Sequence, residues 1–168
     1  MTNEMIRYAA ERLSKCYQTR DPFRLCDALG INVMPLVGAR TLKGMYRIVK
    51  RNRYLFLSDR LDECYRRIVC AHELGHDRLH ADMAKETPLR EFTICSTASR
   101  KEYEANLFAA ELLLPDDAIV PLVMDGADIY EIASRLSTDQ NLVAIKIESL
   151  RRHMPHWHAT DFDSRFLR

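Results

Sequence analysis

The segment "AHELGHDRLH", residues 71–80, places three histidines at steps of four, namely His72, His76 and His80. Glu73 directly follows the first of them. In an α-helix, residues four apart lie one turn above each other on the same side, so His72 and His76 can share one metal ion. Glu73 projects to the flank of this pair, where a carboxylate can act on water without binding the metal. The spacing therefore predicts two ligands of a zinc ion and an adjacent general base.

The helix predicted around this motif, from about residue 61 to residue 80, has an inward face that includes the histidines. Its apolar stripe continues on both sides of them: Tyr65, Ile68, Val69, His72, Gly75/His76 and Leu79. A glycine inside a helix costs about 1 kcal/mol relative to alanine. Gly75 is therefore explained either by the end of the helix or by the close approach of another backbone, and the pattern leaves both open.

A histidine pair on an apolar face also has a simpler explanation. The HExxH pattern arises by chance, and inward-facing histidines are often hydrogen-bonded residues of the core. A catalytic zinc site of this type uses three protein ligands and keeps one position open. The metal hypothesis therefore requires a third ligand elsewhere in the chain.

The segment "KEYEANLFAAELLLP", residues 101–115, carries three candidate carboxylates, Glu102, Glu104 and Glu111. The segment is apolar almost all round, so burial is predicted, and a buried carboxylate without a partner is unfavourable. Coordination of a metal ion would compensate the buried charge of one of the three carboxylates. Glu104 lies on the apolar stripe of this helix, whereas Glu102 at its start suits the positive end of the helix dipole. Periodicity favours Glu104 modestly, and Glu111 can equally be a paired or exposed charge.

The two motifs together, "AHELGHDRLH" and "EYEANLFAAELLLP", resemble the ImmA/IrrE family of zinc-dependent metallopeptidases. The upstream segments "DPFRLCDALGINV" and "RYLFLSDRLDECYRRIVC" resemble that family too, so the similarity covers roughly residues 20–120. The resemblance implies that His72, His76 and Glu104 bind Zn²⁺ and that Glu73 is the catalytic base. His80 matches the "LH" of the family and is a candidate for supporting the site, or otherwise a histidine near the helix end. "LLLP" replaces the more usual "LLMP", a mild apolar change.

The resemblance also implies a substrate. Members of this family act inside bacterial cells, often from phages or mobile elements, and relieve repression by cutting a helix-turn-helix transcriptional repressor. The expected partner is therefore a protein substrate of that kind. The alternative is a non-catalytic regulator that keeps the zinc fold and sequesters a repressor.

Composition excludes several other classes of function. The chain has 25 basic and 24 acidic side chains and a formal net charge of +1, which gives no electrostatic reason to expect nucleic-acid or membrane-surface binding. No apolar run approaches the roughly 20 residues that cross a bilayer. The five cysteines are scattered without a CxxC pair, which is typical of reduced thiols in a cytoplasm and makes a thiolate zinc site unexpected.

The predicted fold is a single α+β domain, zincin-like, with a small, mainly antiparallel sheet and the two motif helices flanking the metal site. We assign residues 1–152 to this domain, with a helical C-terminal part from about 116 to 152, and 153–168 to a tail. The elements before the histidine helix are predicted as a helix over 3–18, a short helix from Pro22 capped by Asp21, a strand "INVMPL", and a hairpin of "MYRIVKR" and "RYLFLS". "EFTIC" is a possible edge strand.

Two C-terminal features suggest other functions, which we do not adopt. Residues 128–150 have a helix-turn-helix pattern, but the second helix lacks a polar reading face at its start, so packing or substrate docking is favoured over DNA binding. His153, His156 and His158 flank Trp157. They can bind a divalent ion weakly, yet a solvated tail is the better interpretation.

Overall fold

The computed structural model of the chain describes residues 1–82, 89–91 and 99–153. These ranges contain seven helices and four strands, in the order α1 Asn3–Tyr17, α2 Pro22–Ala28, β1 Ile31–Leu36, β2 Gly44–Val49, β3 Asn52–Ser58, α3 Glu63–His80, β4 Leu89–Glu91, α4 Arg100–Leu113, α5 Asp116–Met124, α6 Ile129–Arg135 and α7 Gln140–His153. The predicted α+β class is confirmed. The predicted C-terminal His156, Trp157 and His158 lie outside the described residues.

The strands form one mixed sheet in the order β1-β3-β2-β4. β1 runs parallel to β3, whereas β2 is antiparallel to both β3 and β4. The predicted hairpin is therefore confirmed as β2 and β3, and its turn places Lys50 and Arg51 in the left-handed region, with φ of 48° and 69°. β4 overlaps the predicted strand "EFTIC" only at Glu91, and residues 92–95 lie outside the described residues.

The first two helices begin where their capping residues allow. Thr2 accepts a hydrogen bond from the backbone N–H of Met5, at 3.3 Å, and so caps α1. Asp21 accepts from the backbone N–H of Phe23 at 2.9 Å, and Pro22 occupies the first turn of α2, as predicted. These caps satisfy backbone donors that have no partner within the helix.

The histidine helix α3 continues past Gly75 to His80, with Asp62 as its N-cap. Gly75 therefore does not end the helix. A methyl group at Gly75 would lie 3.1 Å from the carbonyl oxygen of Ala105 and 3.3 Å from Cβ of Phe108, both on α4. The glycine allows the backbones of the two motif helices to approach closely, which settles the choice that the sequence left open.

The core lies between the sheet and the helices. Its buried apolar residues come from α1, α2, β1, β3 and α3 to α7, and include Ile6, Leu25, Leu55, Val69, Leu74, Leu107, Phe108, Ile119, Ile132, Leu142 and Ile147. Helix α7 packs against α4, and its Lys146 side chain is only 1% exposed. No helix in the described ranges is both long and apolar enough to cross a lipid bilayer.

The buried lysine is compensated by acidic partners. Nζ of Lys146 donates to Oε2 of Glu111 at 2.6 Å and to Oδ1 of Asp116 at 2.5 Å. Ser149 donates to the other oxygen of Glu111 at 2.6 Å. Glu111 is therefore a paired structural charge that joins α4 to α7, one of the two alternatives left open for it.

Candidate metal centre

His72 and His76 lie one turn apart on α3 and direct the same ring nitrogen to the same point. Their Nε2 atoms are 3.1 Å apart. The rings meet edge to face with centroids 4.7 Å apart, and both side chains are buried. The predicted pairing of these two histidines is therefore present in the fold.

Glu102 is the carboxylate that faces this pair. Its Oε2 lies 3.2 Å from Nε2 of His72, and its Oε1 lies 3.6 Å from Nε2 of His76. Glu102 lies in the first turn of α4. Ser99 caps this helix, and its Oγ accepts a hydrogen bond from the backbone N–H of Glu102 at 3.2 Å. The side chain is 20% exposed, so it reaches the histidines from the edge of the buried region.

Glu104, the third ligand predicted from the sequence, lies elsewhere, and Glu102 occupies the position assigned to it. Oε2 of Glu104 is 3.0 Å from Nε2 of His80. Its Oε1 accepts from the amino group of Met1 at 3.0 Å and from Nε of Arg100 at 3.1 Å. The prediction took the burial of Glu104 as a reason for metal binding. The residue is indeed only 6% exposed, but these three donors compensate its charge without a metal.

The same contacts keep the Glu104 carboxylate ionised. Burial would raise the pKa of Glu104, but hydrogen bonds from His80, the terminal amino group and Arg100 outweigh it and lower the pKa to about 2. Glu104 is therefore a hydrogen-bond acceptor at neutral pH.

Asn106 fixes the orientation of His72. Nδ1 of His72 lies 2.7 Å from Oδ1 of Asn106, which is buried on α4. A carbonyl oxygen only accepts, so Nδ1 of His72 donates and the lone pair of the neutral ring is on Nε2. Sequence reasoning did not single out Asn106. The feature that could have indicated it is a single amide side chain within the apolar segment that follows Glu104.

His76 is neutral in this environment. Burial disfavours the imidazolium ion and is the main reason that the pKa of His76 falls to about 4. His72 and His80 lower the pKa further, and the Glu102 carboxylate opposes them. At neutral pH the ring therefore has a lone pair available for a metal ion.

The three donors fit a zinc ion. His72, His76 and Glu102 each offer one atom, and these atoms lie within 4.8 Å of one another. Ligands at about 2.0–2.1 Å from a tetrahedral zinc ion are about 3.3 Å apart. Here the two Nε2 atoms are 3.1 Å apart, and the two oxygens of Glu102 lie 3.2 Å from His72 and 3.6 Å from His76, one oxygen to each ring. Two imidazoles and one carboxylate are also a donor set of catalytic zinc sites.

Glu73, the predicted base, is fully buried on α3 and packs against β2. A Cβ atom at Gly44 would overlap the Glu73 side chain and Cγ1 of Val69. Gly44 thus makes the space in which the carboxylate lies.

The same helix is anchored to the sheet one residue after His76. Oδ1 of Asp77 accepts from the Tyr46 hydroxyl at 2.6 Å, and Nη1 of Arg53 donates to both carboxylate oxygens at 3.2 and 3.1 Å. Burial, followed by the hydrogen bond to Asp77, raises the pKa of Tyr46. These contacts hold α3 at a fixed rotation over β2 and β3.

Comparisons with known proteins identify the family of this chain. The family model of the IrrE N-terminal-like domain, Peptidase M78, matches residues 26–148, which include both motif helices. A curated relative is "Uncharacterized immunity region protein 2" of Bacillus phage phi105. It is 39% identical over 112 residues, which cover 67% of this chain and 70% of the relative.

Proposed function

This chain belongs to the Peptidase M78 family of IrrE N-terminal-like domains, and we propose that it is a zinc-dependent endopeptidase. The observation that carries the proposal is the convergence of Nε2 of His72, Nε2 of His76 and the carboxylate of Glu102. The first two residues flank Glu73 in the sequence, so one helix supplies two ligands and the base.

Each residue has a distinct role in this proposal. His72, His76 and Glu102 hold the ion, and zinc bound there would polarise a scissile carbonyl and promote the ionisation of water. Glu73 accepts a proton from the attacking water and passes it to the leaving amine. The buried position of Glu73 beside Gly44 restricts its movement, which is what a base of fixed geometry needs.

The donor types favour zinc over the other common divalent ions. Imidazole nitrogens suit zinc and other transition metals, whereas magnesium and calcium prefer an all-oxygen shell. Two of the three donors here are imidazoles whose other ring nitrogens are engaged in hydrogen bonds. This arrangement is typical of histidines that bind metal.

We propose further that the substrate is a helix-turn-helix transcriptional repressor in a bacterial cytoplasm. The name of the phage relative supports this, since it is an immunity-region protein. The near-neutral charge of the chain also suits a protein partner better than a nucleic acid.

The test is coexpression with a candidate helix-turn-helix repressor, followed by intact-mass analysis of the partner. We expect the wild type to convert the partner into two fragments. Glu73→Gln is expected to retain zinc and to abolish cleavage, because an amide cannot accept the proton. Glu63→Gln, an exposed glutamate on the same helix, is the matched control and is expected to cleave normally.

Two results would contradict the proposal. Cleavage by Glu73→Gln at the wild-type rate would remove Glu73 from the mechanism. A stable complex with an intact partner, unaffected by Glu73→Gln, would favour the non-catalytic regulator that sequesters a repressor.

A further inference from the structure

A second row of polar groups lies behind His76, away from the converging donors. Nδ1 of His76 is 3.1 Å from Nδ1 of His80, and Nε2 of His80 is 3.0 Å from Oε2 of Glu104. His80 is 9% exposed and Glu104 6% exposed, so the row is screened from water. It connects His76 to a carboxylate on the other motif helix.

The proposed zinc site gives each hydrogen bond in the row a direction. An ionised carboxylate only accepts, so Nε2 of His80 donates to Glu104. A neutral imidazole that binds an ion through Nε2 carries its hydrogen on Nδ1, so Nδ1 of His76 donates to Nδ1 of His80 and the hydrogen of His80 is on Nε2. The lone pair of His76 is then on Nε2, the nitrogen that faces His72 and Glu102.

This row does for His76 what Asn106 does for His72. Both ligand rings donate from Nδ1. His72 donates directly to Oδ1 of Asn106 at 2.7 Å, whereas His76 is linked to Glu104 through a second ring. Arg100 and the terminal amino group hold the opposite oxygen of Glu104. The orientation of the carboxylate is therefore set from outside the metal site.

We propose that His80 and Glu104 are positioning residues, which hold the His76 ring in the tautomer and orientation needed to bind zinc. This inference rests on the proposed zinc site, and neither residue touches the ion. It gives a role to the third histidine of the sequence row and to the carboxylate that the sequence favoured as a ligand.

The first test is spectroscopic and uses zinc-loaded protein labelled with ¹⁵N. Long-range proton–nitrogen correlation spectra distinguish the two neutral tautomers of a histidine ring. We expect His80 to carry its proton on Nε2 and His76 on Nδ1. A proton on Nδ1 of His80 would overturn the proposal, since His76 could not then donate to it.

The second test measures zinc affinity by competition with a chelator. His80→Leu removes the acceptor for His76 and is expected to weaken zinc binding about 10–100-fold, as is typical for partners of a ligating histidine. His80→Gln keeps an amide oxygen that can accept from Nδ1 of His76, so we expect it to recover most of the loss. His153→Gln is the matched control, because His153 lies on α7, bonded to the carbonyl oxygen of Ser149 and outside this row.

Wild-type affinity in His80→Leu would also overturn the proposal. If that variant does not fold, the tautomer of His80 in the wild type decides the question alone. Both readouts need no substrate, so they separate this inference from the peptidase proposal. Zinc binding without cleavage by the wild type would contradict only the proposed activity.

Discussion

The carboxylates of Glu102 and Glu104, two residues apart on α4, contact different histidines of α3. Oε2 of Glu102 is 3.2 Å from Nε2 of His72, and Oε2 of Glu104 is 3.0 Å from Nε2 of His80. One carboxylate therefore faces the point where the ligand nitrogens converge, and the other lies behind it. This difference predicts separate effects when each charge is removed.

Glu102→Gln is expected to lose zinc more completely than Glu104→Gln. The first substitution removes a charged donor from the proposed metal site, whereas the second alters only the group proposed to orient His76. We expect Glu104→Gln to weaken zinc binding by at most about 10–100-fold, the usual effect of removing a group that supports a ligating histidine. Glu102→Gln is expected to weaken it more. The measurement is zinc content after dialysis against graded chelator. If Glu104→Gln were the variant that emptied the site, the assignment from the sequence would be restored.

The histidine helix could be predicted from the sequence, but the carboxylate that faces it could not. The step of four and the apolar stripe placed His72 and His76 on one inward face, because helical periodicity is a local property. The choice between Glu102 and Glu104 depends on the rotation and register of α4 against α3. Those quantities are set by tertiary contacts, above all that of Gly75 with Ala105, which no pattern within one helix encodes.

The burial of Glu104 and Glu111 was predicted correctly, but the sequence did not identify the groups that compensate their charges. Glu104 and Glu111 are both buried, as the apolar character of their helix indicated. Their compensating partners, however, come from distant parts of the chain: His80 for Glu104, and Lys146 and Ser149 for Glu111. A buried carboxylate thus indicates that some partner exists, and the fold decides which one.

Gly75→Ala is expected to destabilise the protein although alanine is the better helix former. Alanine would gain about 1 kcal/mol in helix propensity. Its methyl group would lie 3.1 Å and 3.2 Å from backbone atoms of Ala105, which cannot move aside as a flexible side chain can. We expect a net loss of about 1–3 kcal/mol, the usual range for overpacking, measured by urea unfolding.

Ser134→Ala, at an exposed position of α6, is the control for propensity alone and is expected to be neutral or slightly stabilising. A Gly75→Ala protein as stable as the wild type would show that α4 can withdraw from α3 without loss. In that case the close approach of the two helices would not explain the glycine.

Asp116 makes stability depend on pH in the acidic range. Burial would raise the pKa of Asp116, but Lys146, Arg7 and Arg20 outweigh it and lower the pKa from 3.8. The folded protein therefore binds this proton less readily than the unfolded chain does. The stabilising contribution is fully present above the ordinary pKa and is lost as the pH falls through the lower folded pKa.

We therefore expect the difference in unfolding free energy between the wild type and Asp116→Asn to be larger at pH 5 than at pH 3. Urea titrations with a chelator at both pH values measure it without a contribution from metal loss. Asp125→Asn, which changes an exposed aspartate, is the control. Its difference from the wild type in unfolding free energy is expected to be the same at both pH values. A constant difference for Asp116→Asn would contradict the expected coupling to Lys146.

Gly44→Ala is expected to affect the proposed base, Glu73, without affecting the proposed metal ligands. The added methyl group would overlap Oε1 of Glu73 and Cγ1 of Val69, and Gly44 contributes no donor to the metal site. Gly44 has no positive φ, so the substitution acts through this contact and not through backbone strain. Misplacing a catalytic group by about 1 Å can cost about 100-fold in rate, so we expect kcat to fall by that order while zinc content is unchanged.

The control is Val49→Ala, a truncation at a partly exposed position of the same strand, for which we expect wild-type cleavage and zinc content. Thermal melts of both variants show whether the fold is retained. Normal cleavage by a folded Gly44→Ala protein would mean that Glu73 can shift without consequence, and its role as a base held in place by β2 would be wrong. Loss of zinc together with activity would instead show that β2 controls the ligands, because the displaced Glu73 would have moved α3 itself.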